Sequence, residues 1–167
     1  MQLNRPDTIS FKELYGLTSE VSAPDGGHGL IAAGINERLI TEFRNNGGSI
    51  AGEVGENVNL LLLTVTGAKS GKERIIPLAF FEIEHRIIII ASMGGSDKHP
   101  RWYVNLQRNA DVKVEIGGGT FSARAATLNG DDRDHVFRQA CRTMPVFAEY
   151  QNKTDRMIPI VELKRTA

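Results

Sequence analysis

Two glycine-rich basic segments carry the residues best able to do chemistry: Gly67-Ala68-Lys69-Ser70-Gly71-Lys72-Glu73-Arg74, and Ser92-Met93-Gly94-Gly95-Ser96-Asp97-Lys98-His99-Pro100-Arg101-Trp102. The run between them reads as two strands, and connected strands would bring Lys69, Lys72, Arg74, Lys98 and Arg101 together. Backbone N–H groups freed by glycine can converge on an oxygen anion, while the basic side chains supply charge. Ser96 or Asp97 can cap a following helix whose first amides would face the same anion. A phosphate-bearing ligand suits such an arrangement. Taken singly, the first segment also reads as a polar hairpin turn with solvated lysines, and the second as an ordinary strand-to-helix connection. Two such segments at neighbouring strand ends favour the anion site.

Other chemistries find less support. Three residues separate Gly67 from Gly71, and Glu73 follows Lys72, so the first segment is not a Walker-type phosphate loop. Ser70 stands one position late for a nucleophile elbow. His28, His85, His99 and His135 are scattered without metal-ligand spacing, and no metal is expected. Cys141 is the only cysteine, which leaves no intramolecular disulfide and points to a cytoplasmic compartment. It falls in a helical pattern, where a free thiol behaves as a small apolar side chain. Lys plus Arg and Asp plus Glu balance at 20 each, which argues against nucleic acid as a partner. The aliphatic runs 60–63 and 87–91 are far shorter than the roughly 20 residues of a bilayer span. Peripheral contact with a membrane surface stays open.

Such a site needs a frame to hold it. A chain of 167 residues with 41% hydrophobic content has enough apolar side chains for one domain with a proper core. Residues 1–34 are weakly periodic and turn-rich around Pro24 to Gly29, and read as an irregular N-terminal arm. Ile35, Leu39, Ile40 and Phe43 recur at helical spacing, giving an amphipathic helix over 35–46 that packs over a sheet or on a lipid surface. Strands are expected over 58–66, 74–83, 86–92, 112–116, 120–128 and 158–163, and helices over 100–108 and 131–144. Strands joined by short turns pair antiparallel, because a parallel pair needs a crossover of about a dozen residues. The expected fold is mostly β with peripheral helices: a small barrel over 35–167 that closes its own sheet edges.

The strand and loop Leu61 to Gly71 resemble the deazaflavin-dependent nitroreductase family of actinobacteria. So do Arg74 to Pro77, Ala91-Ser92 with Gly94-Gly95, Lys98, Pro100 to Leu106, and Thr154 to Ile160, all in order across residues 58–163. The resemblance implies a split β-barrel that binds coenzyme F420, a deazaflavin with a ribityl phosphate and an oligoglutamate tail; a split-barrel protein that binds flavin mononucleotide, or a ligand-binding module without turnover, is the alternative. It implies hydride transfer from the reduced deazaflavin C5 to an organic acceptor such as a quinone, enone or nitro compound. Positioning and exclusion of water then matter more than an acid–base pair. Carried over by position, Lys69, Ser70, Gly71 and Arg74 would meet the phosphate and tail, with Ala68 contributing backbone only and Lys98 close by. Ile75, Ile76 and Pro77 would line the ring, and Ile90, Ala91, Ser92 and Met93 would follow its edge. Arg101, Trp102 and Asn105 would lie on the tail side.

Ser92 and Tyr150 would be the catalytic residues, and Ala79, Met144, Phe147 and Tyr150 would meet the acceptor. The family often has a basic residue at Ala68, a lysine at Met93, and tyrosines at Ala79, Met144 and Phe147, so a roomier, more apolar pocket is expected here. An apolar acceptor, a homodimer, and contact with the inner face of the cell membrane through the N-terminal region complete the expectation.

Overall fold

The computed structural model describes residues 30–48 and 59–166, with side chains from 37 onward. Residues 1–29, most of the expected N-terminal arm, lie outside the described residues. The first helix, α1, runs Leu30–Asn45 and so begins five residues before the expected start. Gly47 and Gly48 end it in left-handed conformations, at φ 66° and 91°. The Gly48 N–H donates to the Phe43 carbonyl at 2.7 Å, which closes the last turn.

Six strands form a closed barrel in the order β1-β2-β3-β6-β5-β4: β1 Asn59–Thr66, β2 Glu73–Ile83, β3 Arg86–Ile90, β4 Asp111–Ile116, β5 Gly119–Thr127 and β6 Ile160–Arg165. Every pairing is antiparallel, as the short turns require. The last strand departs from sequential order, entering between β3 and β5 to close the sheet. It begins at Ile160 and not at 158, since Pro159 has no N–H to give a ladder. The expected strand 86–92 stops at Ile90.

Alternation along β1 divides the core. Leu61, Leu63 and Val65 point into the barrel with Leu78, Phe80, Ile89, Val114 and Val161. Leu60 and Leu62 point outward and are covered by Phe43 of α1, with Ala79 beside them. Both faces of β1 are therefore apolar because both are buried. The apolar face of α1, Leu39 and Phe43, lies on the barrel, so the described part of this helix takes the sheet of the two expected partners. Arg44 fixes its end with a two-pronged pair to Glu115 of β4, at 3.0 and 2.9 Å.

A second outer cluster forms under α3 (Gly130–Thr143) and α4 (Val146–Asn152), joining Phe81, Ile88, Ile90, Val136, Phe147, Tyr150, Ile158 and Ile160. The helix α2 (Arg101–Arg108) packs against β1 and closes one end of the barrel with Trp102, Tyr103 and Leu106. A single 3-10 turn, Met93–Gly95, links β3 to α2.

Candidate cofactor site

The β2–β3 hairpin turns the chain back along β2, pairing as far as Phe81 with Ile88, and β3 ends two residues later at Ile90. Helix α2 is tied to the loop joining β1 to β2: the Ala68 N–H donates to Asn105 Oδ1 at 3.0 Å. Arg101 lies one turn before Asn105 on the same helix face. The first basic loop is thus set against the helix that follows the second basic segment.

Within the first loop the Gly71 N–H donates to the Gly67 carbonyl at 3.0 Å, and the Gly67 N–H to the Lys72 carbonyl at 2.8 Å. Gly71 takes φ 67°, a value that favours glycine. Ser70 Oγ accepts from the Lys72 N–H at 3.2 Å, leaving Lys69, Lys72 and Arg74 on the exposed rim. Lys98 is exposed on the opposite segment, and Ser96 Oγ accepts from its N–H at 3.3 Å.

At the β3 exit Ser92 is 1% exposed and its Oγ has no partner among the described residues. Met93, Gly94 and Gly95 follow with φ of 45°, 63° and 84°, three left-handed residues in succession. A Cβ on Gly95 would meet the Tyr150 carbonyl oxygen at 2.7 Å, so α4 lies directly against this bend. Arg156, in the connection from α4 to β6, grips the bend from another side. Its Nε donates to the Ser96 carbonyl at 2.7 Å, Nη1 to the Ala91 carbonyl at 3.2 Å and Nη2 to the Ser92 carbonyl at 2.8 Å. Nη1 also lies 3.3 Å from His99 Nδ1, which accepts as a neutral ring. Burial, and then the Arg156 charge, hold the His99 pKa below its ordinary value. Arg156 falls in the Thr154 to Ile160 run that carries the resemblance, but nothing in the local sequence gave it a role, because its partners lie some sixty positions away.

Several expected contacts are placed differently. The Ala68 N–H is already held by Asn105 and is not left for an anion. Trp102 is 7% exposed and sits in the barrel-end core at a T-shaped angle to Tyr103, not on the tail side. Ile75 and Ile76 face opposite sides of β2, the first beside the α1 cluster and the second towards the barrel core, so they cannot line one ring together. Ile90 is in the outer α3–α4 cluster while Ala91 is in the barrel core.

The expected open acceptor pocket is filled. Phe147 and Tyr150 are each 1% exposed, and Phe147 stacks edge-to-face on Phe81 at 5.6 Å. Ala79 belongs to the separate cluster under α1 and does not lie opposite them. Of the four acceptor residues only Met144 keeps partial exposure. The Tyr150 hydroxyl has no partner among the described residues, and its pKa is pushed up to about 12 by burial, with Glu149 adding to it. At neutral pH it is a proton donor and never a base.

The remaining polar core is structural. Arg133 is 6% exposed and donates to the Ile158 carbonyl at 2.7 Å while stacking over Phe137. Among the described residues no group of three or more His, Cys, Asp or Glu could hold a metal ion, and no helix is long and apolar enough to cross a membrane.

An exposed cationic loop and, at the β3 exit, a buried hydroxyl without a partner among the described residues are groups that suit a ligand with an anionic tail and a polar-edged ring. The closed, six-stranded antiparallel barrel is of the split-barrel-like class. The family model described as F420H(2)-dependent quinone reductase matches residues 37–165, and the chain belongs to that family. It is an enzyme whose cofactor is coenzyme F420. An F420H(2)-dependent quinone reductase of Mycobacterium tuberculosis (strain ATCC 25618 / H37Rv) is 31% identical over 126 residues, covering 74% of this chain and 85% of the relative. A solved F420-H2 dependent reductase, FDR-A, is 42% identical, with a TM-score of 0.58 over 63% of this chain and 93% of the other. A second solved relative, described as a domain-swapped dimer, is 36% identical, with a TM-score of 0.61 over 77% of this chain and 93% of the other.

Proposed function

We propose that this chain reduces an apolar quinone, holding the cofactor's phosphate and glutamate tail on the rim made by Lys69, Lys72 and Arg74, with Lys98 and Arg101 from the facing segment. The observation that carries the reading is the Ala68 to Asn105 bond, which sets the first basic loop against α2. Bound reduced deazaflavin supplies a hydride, and a quinone that takes it up with one proton leaves as a hydroquinone. Ser92 Oγ, buried and free of other hydrogen bonds, is placed to donate to the ring edge or to an acceptor oxygen as charge develops there. Met93 and the buried β3 exit exclude water from that side. Met144, half-buried at the entry to α4, is the residue of the expected acceptor set that can be touched without opening the helix, while Phe147 and Tyr150 support it from behind.

A homodimer is the assembly this reading favours, in keeping with the domain-swapped relative. Contact with the inner face of the membrane through the N-terminal region would bring the enzyme to lipid-dissolved quinones. Size-exclusion with light scattering and flotation with anionic vesicles test these two points; a monomer, or protein left at the bottom of the gradient, would overturn the respective one.

The test of function mixes the purified chain with reduced F420 and a menaquinone analogue and follows recovery of the oxidised deazaflavin absorbance. Catalysed oxidation that depends on the quinone is expected. A rate equal to that without enzyme would contradict the reading.

A further inference from the structure

We propose that Arg156 is a positioning residue for hydride transfer: it holds the Met93–Gly95 bend in its left-handed form and thereby fixes Ser92 at the ring edge. The proposal rests on the reading that the β3 exit borders the cofactor ring. Three consecutive left-handed residues do not hold themselves, and Met93, which carries a Cβ, meets a steric cost of about 1–2 kcal/mol at φ 45°. The bend has two internal bonds, Gly95 N–H to the Ser92 carbonyl at 2.9 Å and Ser96 N–H to the Met93 carbonyl at 3.1 Å.

Arg156 supplies what they lack. Its guanidinium reaches the carbonyls of Ala91 and Ser92 before the bend and of Ser96 after it, so one rigid plane spans both ends. The Arg156 N–H donates to Thr154 Oγ1 at 3.3 Å, and that hydroxyl donates to Asp97 Oδ1 at 2.8 Å, adding a second tether one residue beyond Ser96. A lysine is a point donor on a flexible stem and cannot reproduce this fork. None of these bonds involves Lys69, Lys72 or Arg74, so loss of the fork should move the ring edge and leave the first loop's part of the tail site intact.

Arg156→Lys in the full chain is the test, read by F420 titration, by kcat at saturating reduced F420, and by amide hydrogen exchange. Tail-driven F420 affinity should be little changed, while kcat falls about 10- to 100-fold, the scale of an ångström-sized misplacement. Exchange at the Gly95 and Ser96 amides should quicken by about tenfold or more, with the amides of β1 unchanged. A kcat within about twofold of the parent, or unchanged exchange at Gly95 and Ser96, overturns the proposal.

Ser92→Ala, run in parallel, separates the two ways of failing. If it lowers kcat and Arg156→Lys does not, Arg156 has no positioning role. If both leave kcat unchanged while exchange at the bend rises, the β3 exit does not border the ring, and the proposal falls with that reading. Should Arg156→Lys melt below the assay temperature, Thr154→Val cuts only the Asp97 tether; it is expected to shift kcat and exchange in the same directions by smaller factors, and unchanged values would overturn the proposal.

Discussion

Ser92 and Tyr150 each bury a hydroxyl with no partner among the described residues, an arrangement that costs about 1–3 kcal/mol where the partner is missing. For Ser92 the cost makes sense if the partner is the ligand. Ser92→Ala should therefore leave the melting temperature unchanged or raised, while turnover falls about 2- to 13-fold, the worth of one net hydrogen bond. Thermal melts beside steady-state kinetics check both halves, and a less stable alanine protein with full turnover would make Ser92 an ordinary core residue. Tyr150 gives a prediction in pH. Its folded pKa of about 12 lies above the ordinary 10, so the fold favours the neutral phenol. The resulting stability is whole below pH 10 and is lost as the pH rises towards 12. Tyr150→Phe removes that dependence, and the alkaline fall in unfolding free energy should be smaller by about 2–3 kcal/mol than in the parent. Urea melts of the two proteins from pH 9 to 12 measure the difference; parallel curves would show that the phenol is not held out of water.

The bend after β3 and helix α4 form one unit, because Gly95 sits against the Tyr150 backbone. Gly95→Ala should cost more than about 2 kcal/mol: 1–2 from the left-handed conformation and the rest from a Cβ 2.7 Å from the Tyr150 carbonyl oxygen. Gly71→Ala meets only the first cost, since nothing lies within 4 Å of its added Cβ. Urea unfolding of the two variants should separate them, and equal losses would mean that α4 yields easily. Strands of this chain were legible to within a residue or two, because aliphatic runs broken by glycine leave few other choices. Helix α4 was not: it has seven residues, follows Pro145, and its apolar positions Phe147 and Tyr150 make too short a pattern to mark a helix. The basic loops stood out in the sequence as candidates for an anion site because lysines and glycines announce themselves locally. Trp102, Ile75 and Ile76 were misplaced for a different reason: residue type told of contact, while the face of helix or strand on which each sits depends on register and packing. Arg156 shows the limit, since its work is done entirely on carbonyls distant in sequence.

At the scale of the molecule, a chain with 20 basic and 20 acidic residues has no net field to attract an anion, so recognition depends on where charges are placed. Some acidic residues are held in structural pairs, Glu115 with Arg44 and Asp132 with Arg86 among them, while Glu73, within the first basic loop, lies 3.9 Å from Lys113. The Ala68 to Asn105 bond sets the first basic loop against α2, while β6 closes the barrel between β3 and β5. The account's central claim is that this rim holds the anionic tail of the cofactor. Its most direct test compares the affinity of the chain for F420 with that for the same deazaflavin lacking phosphate and glutamates, by fluorescence titration at low and high salt, in the parent and in Lys69→Ala. The parent should bind F420 far more tightly than the tail-less ring, and salt should narrow the gap. Lys69→Ala should lose about tenfold for F420, the low end for a charge-assisted hydrogen bond on an exposed rim, and nothing for the bare ring. Equal affinities for the two ligands, or an equal loss for both in Lys69→Ala, would contradict the account.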